Sequence, residues 1–171
     1  ECIAQLLSRN GLEAGDVRRC IAYGMITSDM GLLEIPHVSA PASAQDLKNA
    51  MREQVFPEIA PFPITFIPGV RNFAAPVDLE NFSMMDMMRG EETEAIGLYD
   101  LLGLKEKAML VLPGSHNKFV AMSEEGKILG CMTSISGELL DAMTHHTILA
   151  DAVGSAFVTP ETYVSEMAME G

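Results

Sequence analysis

A short polar segment in the middle of the chain carries several of the groups that bind phosphate. It reads Gly114-Ser115-His116-Asn117-Lys118 and lies between an apolar run at 108–112 and an alternating run at 119–122. We predict a tight turn between two strands, offering backbone N–H groups, a hydroxyl, an amide and an ammonium at one point. The nucleotide-binding patterns GxxxxGKS/T and GxGxxG are both absent. The segment is a candidate phosphate site, and a polar hairpin without a ligand is the open alternative.

A second group of candidate residues lies where a helix is predicted to begin. Glu91 and Glu92 fall in its first turn, and Arg89 precedes them. Acids in a first turn stabilise a helix by about 0.3–1 kcal/mol and need no further role. One carboxylate is equally suited to orient or deprotonate a hydroxyl nucleophile, which contributes roughly 10²–10⁴-fold to a rate. Arg89 is suited to bind a carboxylate or phosphate, or to pair with a surface acid.

A third candidate is the loop Thr27-Ser28-Asp29-Met30-Gly31, which follows a predicted strand at 21–26 that we expect to be buried on both faces. In an open parallel sheet, ligands bind at the carboxyl ends of the strands. The loop is therefore a candidate ligand site, and an ordinary polar turn is an equally open interpretation.

The histidines and cysteines predict neither a metal site nor a redox pair. His145 and His146 are adjacent in a predicted helix, so their side chains point about 100° apart and do not converge on one ion. Cys2, Cys20 and Cys131 are widely separated, and no pair forms a CxxC motif. We interpret them as reduced thiols of a cytoplasmic protein.

The composition argues against several classes of function. The 171 residues carry a formal net charge of −13. Nucleic acids and anionic membranes attract clustered Lys and Arg, so this charge argues against both partners. The chain has no apolar run of about 18 residues and opens without a signal-peptide pattern, so no membrane span is expected. A hydrophobic fraction of 48% is typical of a compact soluble protein.

The candidate residues are positioned by a series of helices and strands. Apolar periodicity predicts helices at 2–9, 45–53, 91–102, 136–150 and 160–169, and strands at 21–26, 64–67, 108–112, 118–122 and 127–132. Ser43, Gly90 and Ser136 are predicted N-caps, and Gly103 is predicted to end the third helix. The last three strands have the spacing of an antiparallel meander. This order indicates an α/β fold with a second lobe that begins near residue 106.

Two apolar features are predicted to fill the core. Ala95, Leu98, Tyr99 and Leu102 share one face of the third predicted helix. The methionine-rich run at 84–88 is more typical of adaptable core packing than of an interaction surface.

Five segments, taken in order, resemble a known family. They are Ala22–Gly31, Pro68-Gly69-Val70, Met88–Thr93, Leu112–Lys118 and Ser136–Leu140. Together they resemble the 2-dehydro-3-deoxygalactonokinase (2-keto-3-deoxygalactonokinase) family across nearly the whole chain. The resemblance implies a partial actin-like (ribonuclease H-like) two-lobe sugar-kinase fold of the actin/Hsp70/sugar-kinase superfamily, with parallel strands and an antiparallel three-stranded meander.

The resemblance also implies a reaction. ATP would lie in the cleft between the lobes, with Mg²⁺ bridging its phosphates. The enzyme would transfer the γ-phosphoryl group to the 6-hydroxyl of 2-dehydro-3-deoxygalactonate in galactonate degradation. The expected partners are therefore a small-molecule sugar acid and a nucleotide.

Roles for the candidate residues follow from the same resemblance. The expected nucleotide-binding loop comprises Gly114, Ser115, His116, Asn117 and Lys118. Glu91 is the expected catalytic base, by analogy with the superfamily's exopolyphosphatases, and Arg89 assists it. Ser28, Asp29 and Arg89 are expected at the sugar acid, with Arg89 at its carboxylate. The polar turn and the acidic helix start are expected to face the same cleft.

The sequence also departs from the superfamily pattern. Residues 1–105 are expected to form part of the first, sugar-binding lobe, and 106–171 the start of the second, nucleotide-binding lobe. The N-terminal Asp-x-Gly-Ser/Thr phosphate hairpin and the adenosine-binding motif are absent, and position 29 is Asp where Asn is expected. We expect the chain to be the middle portion of a longer enzyme, inactive when isolated.

Two other functions remain open at this point. The Gly90-Glu91-Glu92 step alone is compatible with an exopolyphosphatase-like phosphohydrolase. The acidic charge and the methionine-rich run are compatible with a non-catalytic assembly module. A homodimer is compatible with the kinase hypothesis as well.

Overall fold

The computed structural model describes residues 2–73 and 76–170. The predicted lobes also include Glu1, Ala74, Ala75 and Gly171, which lie outside the described residues. The helices are α1 (Cys2–Arg9), α2 (Ala44–Ala50), α3 (Glu91–Leu101), α4 (Ser136–His146) and α5 (Ser165–Glu170). The strands are β1 (Cys20–Ala22), β2 (Val38–Ser39), β3 (Arg52–Gln54), β4 (Ile64–Phe66), β5 (Val70–Arg71), β6 (Met87–Met88), β7 (Ala108–Leu112), β8 (Asn117–Met122) and β9 (Ile128–Ser134). None of the described helices is long and apolar enough to cross a membrane.

The strands form three small sheets that mix parallel and antiparallel pairing. The first has the order β1-β4-β3, in which β1 and β4 are parallel and β3 is antiparallel to β4. The second has the order β2-β5-β6, again with one parallel and one antiparallel pair. The third is the predicted three-stranded sheet β7-β8-β9, with β7 and β8 antiparallel. The predicted α/β class with both kinds of pairing is confirmed.

The described chain divides into two compact units. One unit combines the residues up to Leu112 with Lys118–Thr133, and the other combines Pro113–Asn117 with the residues from Ser134 onward. The first unit therefore includes most of the β7-β8-β9 sheet, whereas the sequence predicted a boundary at 105/106. The assignment of sugar-binding and nucleotide-binding lobes stays a prediction.

The larger hydrophobic core of the first unit explains why the β7-β8-β9 sheet belongs to it. Val120, Met122 and Ile128 are fully buried against Val70 and Ala95. Side chains alternate along β8, with every second residue buried. Burying one face of a strand stabilises it by the transfer of apolar area out of water. The sheet is therefore fixed on α3 and on β5.

Several predicted boundaries are wrong for local reasons. The predicted strand 21–26 ends at Ala22, because Gly24 adopts a φ of +82° and starts a 3₁₀ turn. Ile21 is 55% exposed, so the expected burial on both faces is also wrong. The second predicted helix ends at Ala50, and the next residues pair with β4 as a strand.

The later helices are also shorter than the periodicity predicted. The helix predicted at 136–150 ends at His146, where Thr147 is extended and its hydroxyl donates to Met143 O. Ile135, rather than Ser136, occupies its N-cap position. The helix predicted at 160–169 begins only at Ser165. The apolar periodicity extends beyond the observed helix ends, although the backbone there is not helical.

The caps of α2 and α3 follow the sequence prediction. Ser43 Oγ accepts the Asp46 N–H, and the Asp46 carboxylate accepts the Ser43 N–H, which completes a capping box. Gly90 is the N-cap of α3, and Gly103 follows its end with a φ of +62°. These three predictions are confirmed.

Burial of α3 agrees only in part with its predicted stripe. Ala95 and Tyr99 are buried, whereas Leu98 and Leu102 are exposed. The buried face is completed by Glu92, so it is narrower than predicted and includes a carboxylate. Among the methionines at 84–88, Met88 is buried and Met84 and Met87 are exposed.

Candidate active site

Arg89 lies at the centre of a cluster of contacts in the first unit. It follows β6 directly, and its guanidinium reaches the loop between β1 and β2. Nη1 donates to Thr27 O and, at 2.6 Å, to Thr27 Oγ1, while Nη2 donates to Ile35 O at 3.1 Å. Nη2 also lies 3.2 Å from His37 Nδ1. Burial lowers the pKa of the guanidinium, and the charge of Glu92 opposes this shift.

His37, which lies in the same loop between β1 and β2, also contacts the Arg89 guanidinium. Arginine can only donate, so Nδ1 accepts and the neutral ring carries its proton on Nε2. Burial, followed by the charges of Arg89 and Arg71, lowers the pKa of His37 to about 4. Nε2 is buried and bonds to no residue within the described ranges. A neutral imidazole is therefore built into the cluster.

Gly69 provides the space for this ring. A Cβ at that position would lie 2.6 Å from His37 Cδ2 and 2.9 Å from its Nε2, and 2.5 Å from Met88 O. Any side chain at position 69 would displace either the imidazole or the backbone of β6. This geometry gives a physical reason for the glycine of the Pro68-Gly69-Val70 segment.

Two further glycines bring the end of β1 against the start of α3. Gly24 and Gly90 have φ values of +82° and +125°, which side-chain-bearing residues rarely adopt. A Cβ on Gly90 would lie 3.4 Å from Gly24 Cα. The segments Ala22–Gly31 and Met88–Thr93, distant in sequence, are therefore neighbours through direct backbone contact.

The two acids at the start of α3 have different surroundings. Glu91 is half-buried, and its Oε2 accepts the Arg89 N–H at 3.1 Å. Glu92 is fully buried; its Oε2 accepts the Gly90 N–H at 2.8 Å, and Thr93 donates to its Oε1. Burial raises the pKa of Glu92. The buried Glu92 carboxylate stabilises the backbone at Gly90 through these hydrogen bonds. Glu91 is the more accessible of the two acids, so it remains the predicted base.

The predicted sugar contacts Ser28 and Asp29 lie beside the residue that anchors Arg89. Ser28 is buried, and its hydroxyl donates to Met25 O at 2.7 Å and accepts the Met30 N–H. Asp29 is exposed, and its charge acts on Arg89. The structure thus gathers Ser28, Asp29, Arg89 and Glu91 in one region, while their roles remain predictions.

Sequence reasoning missed Thr27 and His37. Thr27 is fully buried and binds Arg89 through both its carbonyl and its hydroxyl. The only signal for Thr27 was its place in the candidate loop, and His37 offered none beyond its residue type. Both contacts span more than 50 residues of chain.

The predicted phosphate turn lies in the second unit and rests on the start of α4. Asn117 Oδ1 accepts the Gly114 N–H at 2.9 Å, and its Nδ2 donates to Ser136 Oγ at 2.7 Å. The Glu138 N–H donates to Ser115 O at 3.0 Å. A Cβ on Gly137 would collide with the carbonyl oxygen of Gly114 and lie 2.9 Å from that of Ser115. The turn and the helix start are therefore closely fitted.

Several groups of this turn remain available to a ligand. Ser115 and His116 are exposed, and neither their N–H groups nor the Ser115 hydroxyl bond to another residue of 2–73 or 76–170. The His116 ring pairs with Glu138 at 2.7 Å. Two open amides and a hydroxyl beside a helix N-terminus are suited to an anion.

Lys118 belongs to the first unit, and its ammonium is occupied. Its side chain is 8% exposed. Nζ donates to Met87 O at 2.6 Å and to Thr133 Oγ1, and it lies 3.7 Å from Asp86 Oδ1. Its predicted role at a phosphate stays a prediction, and these contacts offer a second explanation for a lysine at this position.

Within the described residues, no group of three or more His, Cys, Asp or Glu side chains is arranged to hold a metal ion. Magnesium delivered with a nucleotide is usually held by the phosphates and one or two carboxylates. The predicted Mg²⁺ therefore stays a prediction. Cys2, Cys20 and Cys131 are free thiols, and burial raises the pKa of Cys131 to about 11.

Comparison with known proteins agrees with the fold and the motif pattern. Residues 2–169 match the family model described as 2-keto-3-deoxy-galactonokinase. A protein of Rhizobium meliloti (strain 1021), provisionally named 2-dehydro-3-deoxygalactonokinase, is 31% identical over 138 residues. A crystal structure from Sinorhizobium meliloti with the same provisional name matches with a TM-score of 0.72 at 26% identity. The chain belongs to the 2-keto-3-deoxy-galactonokinase family, and the resemblance noted from its five segments is confirmed.

The chain spans less than half the length of these relatives. The alignment with the Rhizobium protein covers 80% of this chain and 40% of the relative. The structural match covers 91% of this chain and 47% of the crystallised protein. The described fold is thus a mixed α/β fragment similar to a kinase structure.

Proposed function

We propose that this chain forms part of a kinase that transfers the γ-phosphoryl group of ATP to the 6-hydroxyl of 2-dehydro-3-deoxygalactonate. One observation carries the proposal: the five family segments gather into two compact clusters with suitable chemistry. Segments 22–31, 68–70 and 88–93 surround Arg89. The turn at 113–117 rests on the start of α4. Because the chain covers 40% of the curated relative, the activity is proposed for the complete gene product rather than for residues 1–171 alone.

The second cluster supplies the proposed nucleotide contacts. The N–H groups of Ser115 and His116 and the Ser115 hydroxyl would donate to phosphate oxygens, as backbone amides do in other anion sites. Gly114 and Asn117 fix the turn through the bond between them. Mg²⁺ bound with ATP would offset the charge of the phosphates.

The first cluster supplies the proposed sugar-acid site. Glu91 would accept the proton of the attacking hydroxyl, since its carboxylate is more accessible than the buried carboxylate of its neighbour Glu92. Ser28 and Asp29 lie in the loop that Arg89 anchors. Arg89 would attract the substrate carboxylate through its charge and its Nε–H. The positive charge of Arg89 offsets that of Asp29, which would otherwise repel an anionic substrate.

The test is a kinase assay on the complete gene product containing these residues. Purified protein receives Mg-ATP with 2-dehydro-3-deoxygalactonate, and ADP and the phosphorylated product are measured, the latter by ³¹P NMR. The proposal expects ADP formation only with the sugar acid and a product phosphorylated at the 6-position. Phosphate release without any sugar acid would favour the phosphohydrolase instead. No reaction under either condition, with a stable oligomer, would favour the assembly module.

A kinase that draws on the cellular ATP pool is proposed to act in the cytoplasm. Its partners would be the nucleotide and the sugar acid. Formation of a homodimer stays a prediction, which sedimentation of the same preparation tests directly.

A further inference from the structure

The Lys118 ammonium contacts protein groups next to the turn that carries Arg89. Two of the three N–H donors of the Lys118 ammonium bond to Met87 O and Thr133 Oγ1, and the Asp86 carboxylate forms an ion pair with it at 3.7 Å. The side chain is buried, with 8% of its surface exposed. A ligand phosphate at this cation would have to enter a buried site and compete with the Asp86 carboxylate.

Asp86 completes the network on the opposite side. Its carboxylate accepts the Thr133 N–H at 2.5 Å and the Thr133 hydroxyl at 2.8 Å. It also accepts the Met87 N–H at 2.7 Å. The Thr133 hydroxyl therefore accepts from Lys118 and donates to Asp86, which leaves no choice in its orientation.

Asn72 joins the same two segments a few residues away. Its amide donates to Met84 O at 2.8 Å and to Cys131 O at 3.0 Å, and it accepts the Cys131 N–H at 2.8 Å. The segment before β6 is thus fastened to β9 by polar side chains rather than by a continuous strand ladder. Lys118, Asp86, Thr133 and Asn72 are together called the polar latch.

The polar latch ends where the candidate active site begins. Met87 and Met88 form β6, and Arg89, Gly90 and Glu91 follow immediately. A carbonyl held by Lys118 is therefore two residues from the guanidinium that binds Thr27 and four residues from the proposed base.

We propose that Lys118 is a positioning residue, which holds the backbone before Arg89 and Glu91 in place instead of binding the nucleotide phosphates. This inference rests on the proposed function for its kinetic consequence, but its structural part does not. Phosphate recognition is left to the 113–117 turn, whose open amides lie in the other unit.

The experiment compares Lys118→Met, Asp86→Asn and the double variant in the complete gene product. Lys118→Met leaves a largely buried carboxylate without its cation, so the urea midpoint of unfolding is expected to fall. The double variant removes both charges and is expected to recover most of that loss, because the two residues act as a pair. Lys127→Met is the matched control, because Lys127 is an exposed lysine just before β9. It is expected to leave the urea midpoint unchanged.

Kinetics separate positioning from phosphate binding. Lys118→Met is expected to lower kcat by about 10²-fold, as small displacements of catalytic groups do. The KM for Mg-ATP is expected to change by less than about threefold, because no nucleotide contact is lost. A KM for Mg-ATP raised by about tenfold or more, with no recovery of the midpoint in the double variant, would overturn the proposal.

Two further measurements keep the test decisive. If Lys118→Met does not fold, Thr133→Val replaces it, with the same loss of kcat and steady KM expected. If the wild-type protein shows no kinase activity, the proposed function fails, and NMR still tests the latch. Shifted amide resonances of Arg89 and Gly90 in Lys118→Met, absent in Lys127→Met, would support it; unshifted resonances would refute it.

Discussion

Arg89 commits most of its hydrogen-bonding capacity to the protein. A guanidinium carries five N–H groups, and four of them face Thr27 O, Thr27 Oγ1, Ile35 O and His37 Nδ1. The residue type suggested a bidentate clamp for a substrate carboxylate. In this arrangement Arg89 offers a ligand its Nε–H and its charge, and its main effect is to fix the loop that contains Ser28 and Asp29.

Replacement of Glu91 tests the proposed base. Glu91→Gln keeps an oxygen that can accept the Arg89 N–H but cannot take a proton from a hydroxyl. We expect kcat to fall by about 10²–10⁴-fold, with an unchanged urea midpoint. The measurement is sugar-acid-dependent ADP formation by the complete gene product.

Glu94 provides the control, because it lies in the same first turn of α3 and is exposed. Glu94→Gln is expected to leave kcat unchanged while altering the charge of the helix start in the same way. Equal activity of the two variants would remove Glu91 from the mechanism.

The neutral state of His37 predicts a pH dependence of stability. Its pKa is about 4 in the folded chain, against an ordinary value of 6.5, so the unfolded chain binds a proton first as pH falls. The stability that this group contributes is present above pH 6.5 and is lost as pH falls towards 4. His37→Asn keeps an acceptor near the position of Nδ1 and cannot be protonated. We expect its free energy of unfolding to fall less steeply over this window than that of the wild type.

Urea unfolding at several pH values between 7 and 4 makes this comparison. His146→Asn is the matched control, since His146 is exposed at the end of α4. Parallel pH profiles for wild type and His37→Asn would contradict the structural role of the neutral imidazole.

At the scale of elements, the start of α4 determines the shape of the proposed phosphate turn. Gly137 lies against the carbonyl groups of Gly114 and Ser115, and both are backbone atoms that cannot rotate away. The turn is therefore packed directly against the start of the helix.

Gly137→Ala tests whether this fit matters for nucleotide binding. The added methyl must push the turn away from α4, so we expect the KM for Mg-ATP to rise by about tenfold, with a smaller effect on the KM for the sugar acid. Gly97→Ala in α3 is the control, because nothing lies within 4 Å of its added Cβ. It is expected to stabilise the chain by about 0.5–1 kcal/mol through helix propensity. Equal KM values in the two variants would argue against the turn as the nucleotide site.

The sequence predicted elements best where local chemistry is strong. The N-cap at Ser43, the glycines at both ends of α3 and the three strands from 108 onward were all predicted from residue types. The strand predicted at 21–26 was too long, because apolar side chains continued past Gly24 while its positive φ ended the strand. Periodicity reports where apolar groups lie and not where the backbone turns.

At the scale of the whole molecule, ordered motifs were more informative than composition. The net charge and the cysteine pattern only reduced the number of possible classes of function, whereas the five segments indicated the family. The sequence could not show that Arg89, His37 and Gly69 meet, because their contacts depend on packing between distant segments. Nor could it show that Lys118 and the turn before it belong to different compact units.

The polar latch also bears on how the chain acquires its shape during synthesis. Thr133, which binds the Asp86 carboxylate, is 47 residues further along the polypeptide. A nascent chain released only as far as Arg89 could already pair β6 with β5, but it would lack β9 and with it the contacts of Thr133. On the ribosome, the polar latch can form only after Thr133 has emerged from the exit tunnel.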